Sequence, residues 1–477
     1  MDMKAHNVMA APDGGYSWFI LLSCFVVYGL SFGVINSFGV FFFEIHHYFG
    51  TTATRASWIS SIAVAAIHVI APVASALSGH YSHRSVVITG GLICSIGIVV
   101  GAFARNLNEL YVTVGLLNGF GLALTWTPTM SILGLYFDKR RPFANALASA
   151  GEDIFTLVLT PLFQLLIDSY SWRGALLILG GLQLNLCVCG ILLRPINVTR
   201  DVNCEMEDGL PLKLLSIDNS EHSKSHSLET EDLRINNGSD KVTVEACPEI
   251  PKGTSDSAVK APGLNIKKRV ELGTRILHYV DFTLITNAHF MVYSMFGLFA
   301  ALGYFAPALY LVPYARSQGI EEYAAAALMS IFAVLGLCGR VFLGWVANMK
   351  MMKMIVQLTA TVIMLAIVLL LCPLTSSFIE LAAISAAYGV VYGGTVAIHI
   401  TVLAELVGIH KFRNALGFYM LIRSSGCLFG PPVAGYFIDM MSDYGAGFLM
   451  SGVALMIAAV FLLIVNQMNR SGKVSAQ

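Results

Sequence analysis

Residues 445–466 read GAGFLMSGVALMIAAVFLLIVN, a run without one charged side chain. At 1.5 Å of rise per residue, a helix of this length spans about 33 Å, enough to cross the roughly 30 Å hydrocarbon core of a bilayer. Its residues are apolar on every side rather than along one stripe, so the run suits lipid and packed protein instead of a water-facing surface. Reading back toward the N-terminus, similar runs occur at 17–43, 56–78, 86–104, 110–136, 143–167, 173–193, 286–314, 323–346, 352–372, 377–404 and 414–438. The expectation is an all-α membrane protein of twelve transmembrane helices. A transmembrane barrel is excluded, because its strands alternate polar and apolar residues.

Composition points the same way. Of 477 residues, 56% are hydrophobic and 12% charged, against about 25% charged in a soluble domain. Lys+Arg 29 balance Asp+Glu 29, so there is no basic field to draw the chain onto nucleic acid, and that partner is excluded. The first apolar run is too long for the core of a cleavable signal peptide. A stretch rich in Ser, Asp, Glu, Lys and Asn separates two sets of six spans. The expected organisation is a tail (1–16), a six-helix half (17–193), a disordered linker (194–285) with a short surface helix near Lys267–His278, a second six-helix half (286–466) and a tail (467–477).

Loop charges orient the chain. Arg84, Lys139, Arg140, Arg141, Lys350, Lys353, Lys411 and Arg413 on one side outnumber Arg55, Arg105, Arg173 and Arg316 on the other, which places both termini and the linker in the cytoplasm. Two six-helix halves with matching landmarks are the pattern of repeat-built transporters, whose substrate site lies at mid-bilayer between the halves. The landmarks are prolines expected to interrupt span five (Pro161) and span eleven (Pro431-Pro432), and the loops Gly79–Arg84 and Gly344–Lys350.

Ionisable residues at mid-bilayer are costly and need a partner, a wet cavity or a task. Helical rise puts Arg340, Arg423, Glu152 and Asp153 at one depth, about 15–18 Å from the inner surface. A guanidinium fork matches a carboxylate, so Arg340 and Arg423 are candidates to hold an organic anion, against a structural ion pair between Arg340 and Glu152 or Asp153. The two acids are candidate proton couplers, since burial and a nearby cation push a carboxyl group in opposite directions as the carrier changes state. Asn36, His68 and Tyr392 are further candidates to line the path; His399 stands similarly to His68, and Tyr388 with Tyr392 suits helix packing as well. There is no phosphate-cradling loop, metal-ligand cluster or nucleophile triad in the sequence, so neither an enzyme nor a cofactor is expected.

Several stretches resemble the monocarboxylate transporter family (solute carrier family 16) of the major facilitator superfamily. They are Pro12-Asp13-Gly14-Gly15-Tyr16-Ser17-Trp18 entering span one, Tyr136 to Asn145 running on to Ala150-Gly151, Ser171-Trp172-Arg173-Gly174, Leu193-Arg194-Pro195 and Gly430-Pro431-Pro432. The resemblance implies a multi-pass plasma-membrane carrier working by alternating access on small monocarboxylates such as lactate, pyruvate or β-hydroxybutyrate, often as a proton symporter. It also implies that Arg340 falls at the family's substrate-binding arginine, and that a single-span glycoprotein chaperone is a candidate partner. The sequence departs from proton-coupled members at Gly336, where they carry an acid, and at Asn36, where they carry a lysine; Tyr16 and Ser17 replace the usual Trp-Gly. Phe296-Gly297-Leu298-Phe299 through Phe305-Ala306-Pro307, with Glu152, is similar to the ketone-body and taurine branch. The alternative is a facilitative carrier of zwitterions such as taurine, creatine or amino acids.

Overall fold

A computed structural model of the chain describes residues 15–137, 141–194, 286–349, 352–408 and 412–474, and every regular element among them is helical. In chain order the helices are α1 (Ser17–Tyr48), α2 (Ala53–His80), α3 (His83–Gly101), α4 (Leu107–Tyr136), α5 (Arg141–Gln183), α6 (Asn185–Leu192), α7 (Ala288–Ser317), α8 (Glu322–Asn348), α9 (Met354–Leu371), α10 (Phe378–Val407), α11 (Phe412–Met441) and α12 (Gly445–Val474). Ten described stretches are long and apolar enough to cross a membrane, and one of them, Ala144–Leu192, contains the fifth and sixth spans. α11, which carries Arg423 and Asp439, supplies the remaining crossing.

Local signals account for where the chain turns. Thr52, Asn287 and Ser377 cap α2, α7 and α10 through their side chains, and Ser377 with Glu380 forms a reciprocal capping box, satisfying amides that have no partner within the helix. Within α5 the helical path breaks at Ser171 (φ 64, ψ 165), a positive-φ region used almost only by glycine that costs other residues about 1–3 kcal/mol. The neighbouring Arg173 is anchored beside the break. It lies over the rings of Trp172 and Tyr48, and it donates to the Tyr48 hydroxyl and the Ala104 carbonyl at 2.9 Å each.

Four sequence expectations need correction or bounding. Pro161 does not interrupt α5, nor do Pro431 and Pro432 interrupt α11; packing against neighbouring helices lets a membrane helix run through proline. Gly344 lies inside α8 rather than in a loop, because that helix continues to Asn348. α12 runs on to Val474, so the start of the 467–477 tail is helical. The linker between the halves, its short helix at Lys267–His278 and the first residues of the N-terminal tail lie outside the described residues.

The same helix pairs close on glycine in both sets of six. On α4, a Cβ at Gly119 would stand 2.6 Å from the Ala63 carbonyl oxygen of α2, and on α10 one at Gly393 would overlap the Gly336 carbonyl of α8. Likewise Gly151 on α5 leaves no room for a Cβ beside Phe25 of α1, nor does Gly426 on α11 beside Leu298 of α7. Small residues that let backbones touch are the usual glue of helices in lipid. Their recurrence between corresponding pairs is the structural trace of a repeat.

The start of α1 and the end of α12 lie at one end of the bundle. At the opposite end, side chains tie the two sets together. Asp439 of α11 accepts from the amides of Ala53 (2.7 Å) and Thr54 (2.9 Å) and from the Thr54 hydroxyl, so a carboxylate sits on the positive N-terminus of α2. Arg316 of α7 pairs with Glu44 of α1 at 3.0 Å and with Glu322, which in turn accepts from Gln164 of α5 at 3.0 Å. Removing the carboxylate in Asp439→Ala is expected to cost this closed end about 2 kcal/mol, roughly thirtyfold in the opening equilibrium. A cysteine placed at Ser60, beneath the latch, will then be alkylated faster from that side; unchanged labelling would show that the latch does not hold the end shut.

Candidate functional site

Arg340 projects from α8 toward α5. Its Nη2 donates to Glu152 Oε2 at 2.9 Å and to Asp153 Oδ1 at 3.3 Å, and its Nη1 donates to the Ser149 carbonyl at 3.1 Å. Nε faces Asp153 Oδ2 at 3.1 Å as an ion-pair contact without the alignment of a hydrogen bond. The side chains of Arg340, Glu152 and Asp153 are 7%, 10% and 3% exposed, so little water screens them. Asn36 of α1 donates from Nδ2 to the other Glu152 oxygen, Oε1, at 3.0 Å. Three helices thus meet on Glu152, two from one half and one from the other.

Two features explain this cluster. First, Gly336 lies one turn from Arg340, and a Cβ built there would stand 3.4 Å from Asp153 Oδ1. The space that an acidic side chain on α8 would use is filled by a carboxylate from α5. Second, at Asn36 a neutral amide satisfies Glu152 without adding a second cation. One guanidinium facing two carboxylates is charge-balanced only when the pair of acids holds one proton, and an uncompensated charge at this depth is expensive.

Arg423 is placed differently. It is buried on α11, where Nη1 faces His399 Nε2 of α10 at 3.3 Å, Nε has no partner, and no carboxylate pairs with it among the described residues. His399 Nδ1 donates to the Val396 carbonyl at 2.9 Å, which leaves Nε2 as the acceptor for Arg423. His68 of α2 does the same, its Nδ1 on the Val64 carbonyl at 2.8 Å, and it lies close enough to Arg423 for their charges to interact. Tyr392 packs in an aromatic cluster with Phe332, Tyr388 and Tyr304, ring centroids 5.5–5.8 Å apart, and is an electrostatic neighbour of both arginines. The buried Tyr304 hydroxyl, which nothing in the sequence singles out from other aromatic residues of an apolar helix, has no partner either.

Arg340, Glu152, Asp153 and Asn36 therefore form one cluster, and Arg423, His68 and His399 another, with Tyr392 between. Helices from both halves contribute to each. That arrangement, charged groups at mid-depth where two repeats meet, is the pattern of a repeat-built transporter. Residues 21–379 match the family profile of the Major Facilitator Superfamily. Two solved structures share this fold over 94–95% of the chain: a bacterial homolog of the human lysosomal transporter Spinster (TM-score 0.65, 14% identity, 98% of that chain) and the nucleoside transporter NupG (TM-score 0.61, 12% identity, 98% of that chain). Among curated relatives, human monocarboxylate transporter 2 is 33% identical over 98% of this chain and 88% of its own length. Human monocarboxylate transporter 7 is also 33% identical (97% and 88%), and monocarboxylate transporter 12 of Xenopus laevis is 32% identical (97% and 91%). The chain belongs to the monocarboxylate transporter family, solute carrier family 16, and is a transporter rather than an enzyme.

Proposed function

We propose that the protein carries small monocarboxylates, ketone bodies such as β-hydroxybutyrate together with lactate and pyruvate, by alternating access across the plasma membrane, with a proton as the coupled ion and both termini in the cytoplasm. The observation that carries this reading is the mid-depth layer of two guanidiniums, Arg340 and Arg423, set between the halves with an excess of carboxylate around the first. An anion entering the layer is drawn by fixed positive charge. Its negative charge cancels the second guanidinium of the layer, and the surplus carboxylate of the Arg340–Glu152–Asp153 cluster is then answered by a proton on one of the acids. Release of the anion and the proton to the other side returns the ion pairs, which is the logic of symport. A single-span glycoprotein chaperone, needed by some members of the family, belongs to this reading as a partner in reaching the surface.

A second reading has its own support. Guanidiniums and carboxylates in one layer also match a zwitterion such as taurine, creatine or an amino acid, whose two charges require no proton. Uptake of labelled β-hydroxybutyrate, lactate and taurine at several external pH values separates the two. With symport, acid uptake rises as external pH falls. In Glu152→Gln and Asp153→Asn that dependence shrinks several-fold, because the neutral side chain no longer binds the proton. Undiminished pH dependence in both variants removes these residues from coupling, and a pH-independent preference for taurine favours the facilitative carrier.

A further inference from the structure

Charge accounting separates the two arginines. Around Arg340 three of the five N–H groups donate to Glu152, Asp153 and the Ser149 carbonyl, and Nε faces Asp153 Oδ2. Around Arg423 stand His399 and His68, each held with its Nδ1 hydrogen on a backbone carbonyl, together with the tyrosines Tyr304, Tyr392 and Tyr419 and the thiol of Cys427. None of these is a carboxylate. Arg423 is a buried cation with an unused Nε–H, and Tyr304, close enough for their charges to interact, has an unused O–H. Buried donors left without acceptors cost about 1–3 kcal/mol each, more when charged. A carboxylate on Arg423 satisfies that donor and neutralises the guanidinium.

We propose that Arg423, with the Tyr304 hydroxyl as second donor, is the seat of the cargo carboxylate, while Arg340 stays with Glu152 and Asp153 as the cluster that senses it. This rests on the transport reading and names the group that does the gripping. The surroundings link the two arginines. One helical turn beyond Arg423, Cys427 lines a narrow gap of about 10 Å³, room for roughly one water, between α1, α2, α7 and α11. Asn36, Ser61, Phe305 and Pro431 line it as well. Its wall is mainly apolar, with the buried Ser61 hydroxyl unpartnered. Asn36 joins this gap to Glu152, which links the wall beside Arg423 to the group that would answer the cargo. The arrangement also gives the two arginines different tasks: a free cation binds, and a paired one couples.

Equilibrium binding to the purified full-length chain tests this, with labelled β-hydroxybutyrate, lactate and taurine as probes and Arg423→Gln, Tyr304→Phe and Arg340→Lys as variants. Arg423→Gln is expected to weaken acid binding about 50-fold or more and Tyr304→Phe about tenfold. Arg340→Lys, which keeps the charge, is expected to lose less affinity than Arg423→Gln while its uptake falls. Tyr304→Phe removes only a hydroxyl that makes no bond in the structure, so a merely structural role predicts no loss of affinity. That variant decides the matter even if Arg423→Gln does not fold. Native affinity in Tyr304→Phe, or a loss confined to Arg340→Lys, overturns the assignment. Absence of binding by the native protein to all three probes overturns the transport reading beneath it.

Discussion

Replacing Arg340 with glutamine is expected to abolish uptake and to leave little folded protein in the membrane. The substitution removes the cation that Glu152 and Asp153 share and leaves both carboxylates at mid-depth facing a neutral amide. Breaking a buried pair from one side costs about 3–5 kcal/mol, a large part of the roughly 5–15 kcal/mol that holds a domain folded. The acids can escape by taking up protons, but only by giving up the hydrogen bonds that now fix α5 against α8. The reverse change is the control. Arg340→Gln combined with Glu152→Gln and Asp153→Asn removes every charge of the cluster together and should recover most of the heat stability, measured by size-exclusion survival after a temperature step, without recovering coupled uptake. An Arg340→Gln protein as heat-stable as the native one would show that the ion pairs carry no structural weight. It would also undercut their proposed role in coupling, which requires that the cluster respond strongly to charge.

Adding one methyl group at Gly393 should be nearly as damaging, for a steric reason. The Cβ of Gly393→Ala overlaps the Gly336 carbonyl and stands 3.1 Å from the Arg340 amide nitrogen. Both obstacles are backbone atoms and cannot rotate away, so α8 and α10 must separate. Overpacking of this kind costs about 1–3 kcal/mol. The larger effect is on function: α8 carries Arg340, and a displacement of about 1 Å at a site that depends on alignment lowers its rate on the order of a hundredfold. Uptake per folded molecule is the measurement. Gly417→Ala, on α11 where a Cβ meets nothing within 4 Å, is the matched control and should leave uptake unchanged. Equal behaviour of the two variants would mean that the α8–α10 contact does not set the position of Arg340.

Much of this molecule is written locally. Each apolar run implies a span, because hydrocarbon tolerates only backbone that satisfies its own hydrogen bonds. Depth follows from constant helical rise, so Arg340, Arg423, Glu152 and Asp153 can be set in one layer from spacing alone. Equal depth also anticipates that an acid on α5 stands opposite Arg340. What spacing does not carry is the direction in which a side chain leaves its helix. Treated as equivalents on depth, Arg340 and Arg423 differ in the structure by two carboxylates. The Tyr304 hydroxyl carries no sequence signal, since a tyrosine with a buried orphan hydroxyl reads like any other aromatic residue. The prolines mislead in the opposite direction: their local chemistry predicts a break that neighbouring helices prevent.

Composition and the lengths of the apolar runs determined the membrane, the helices and the layer in which charge must sit, because those follow from the free energy of single segments in a bilayer. The tertiary structure alone decided which charges are answered and which are left open. That depends on how each helix is rotated about its axis, and the rotation is set by close glycine contacts between segments far apart in the chain.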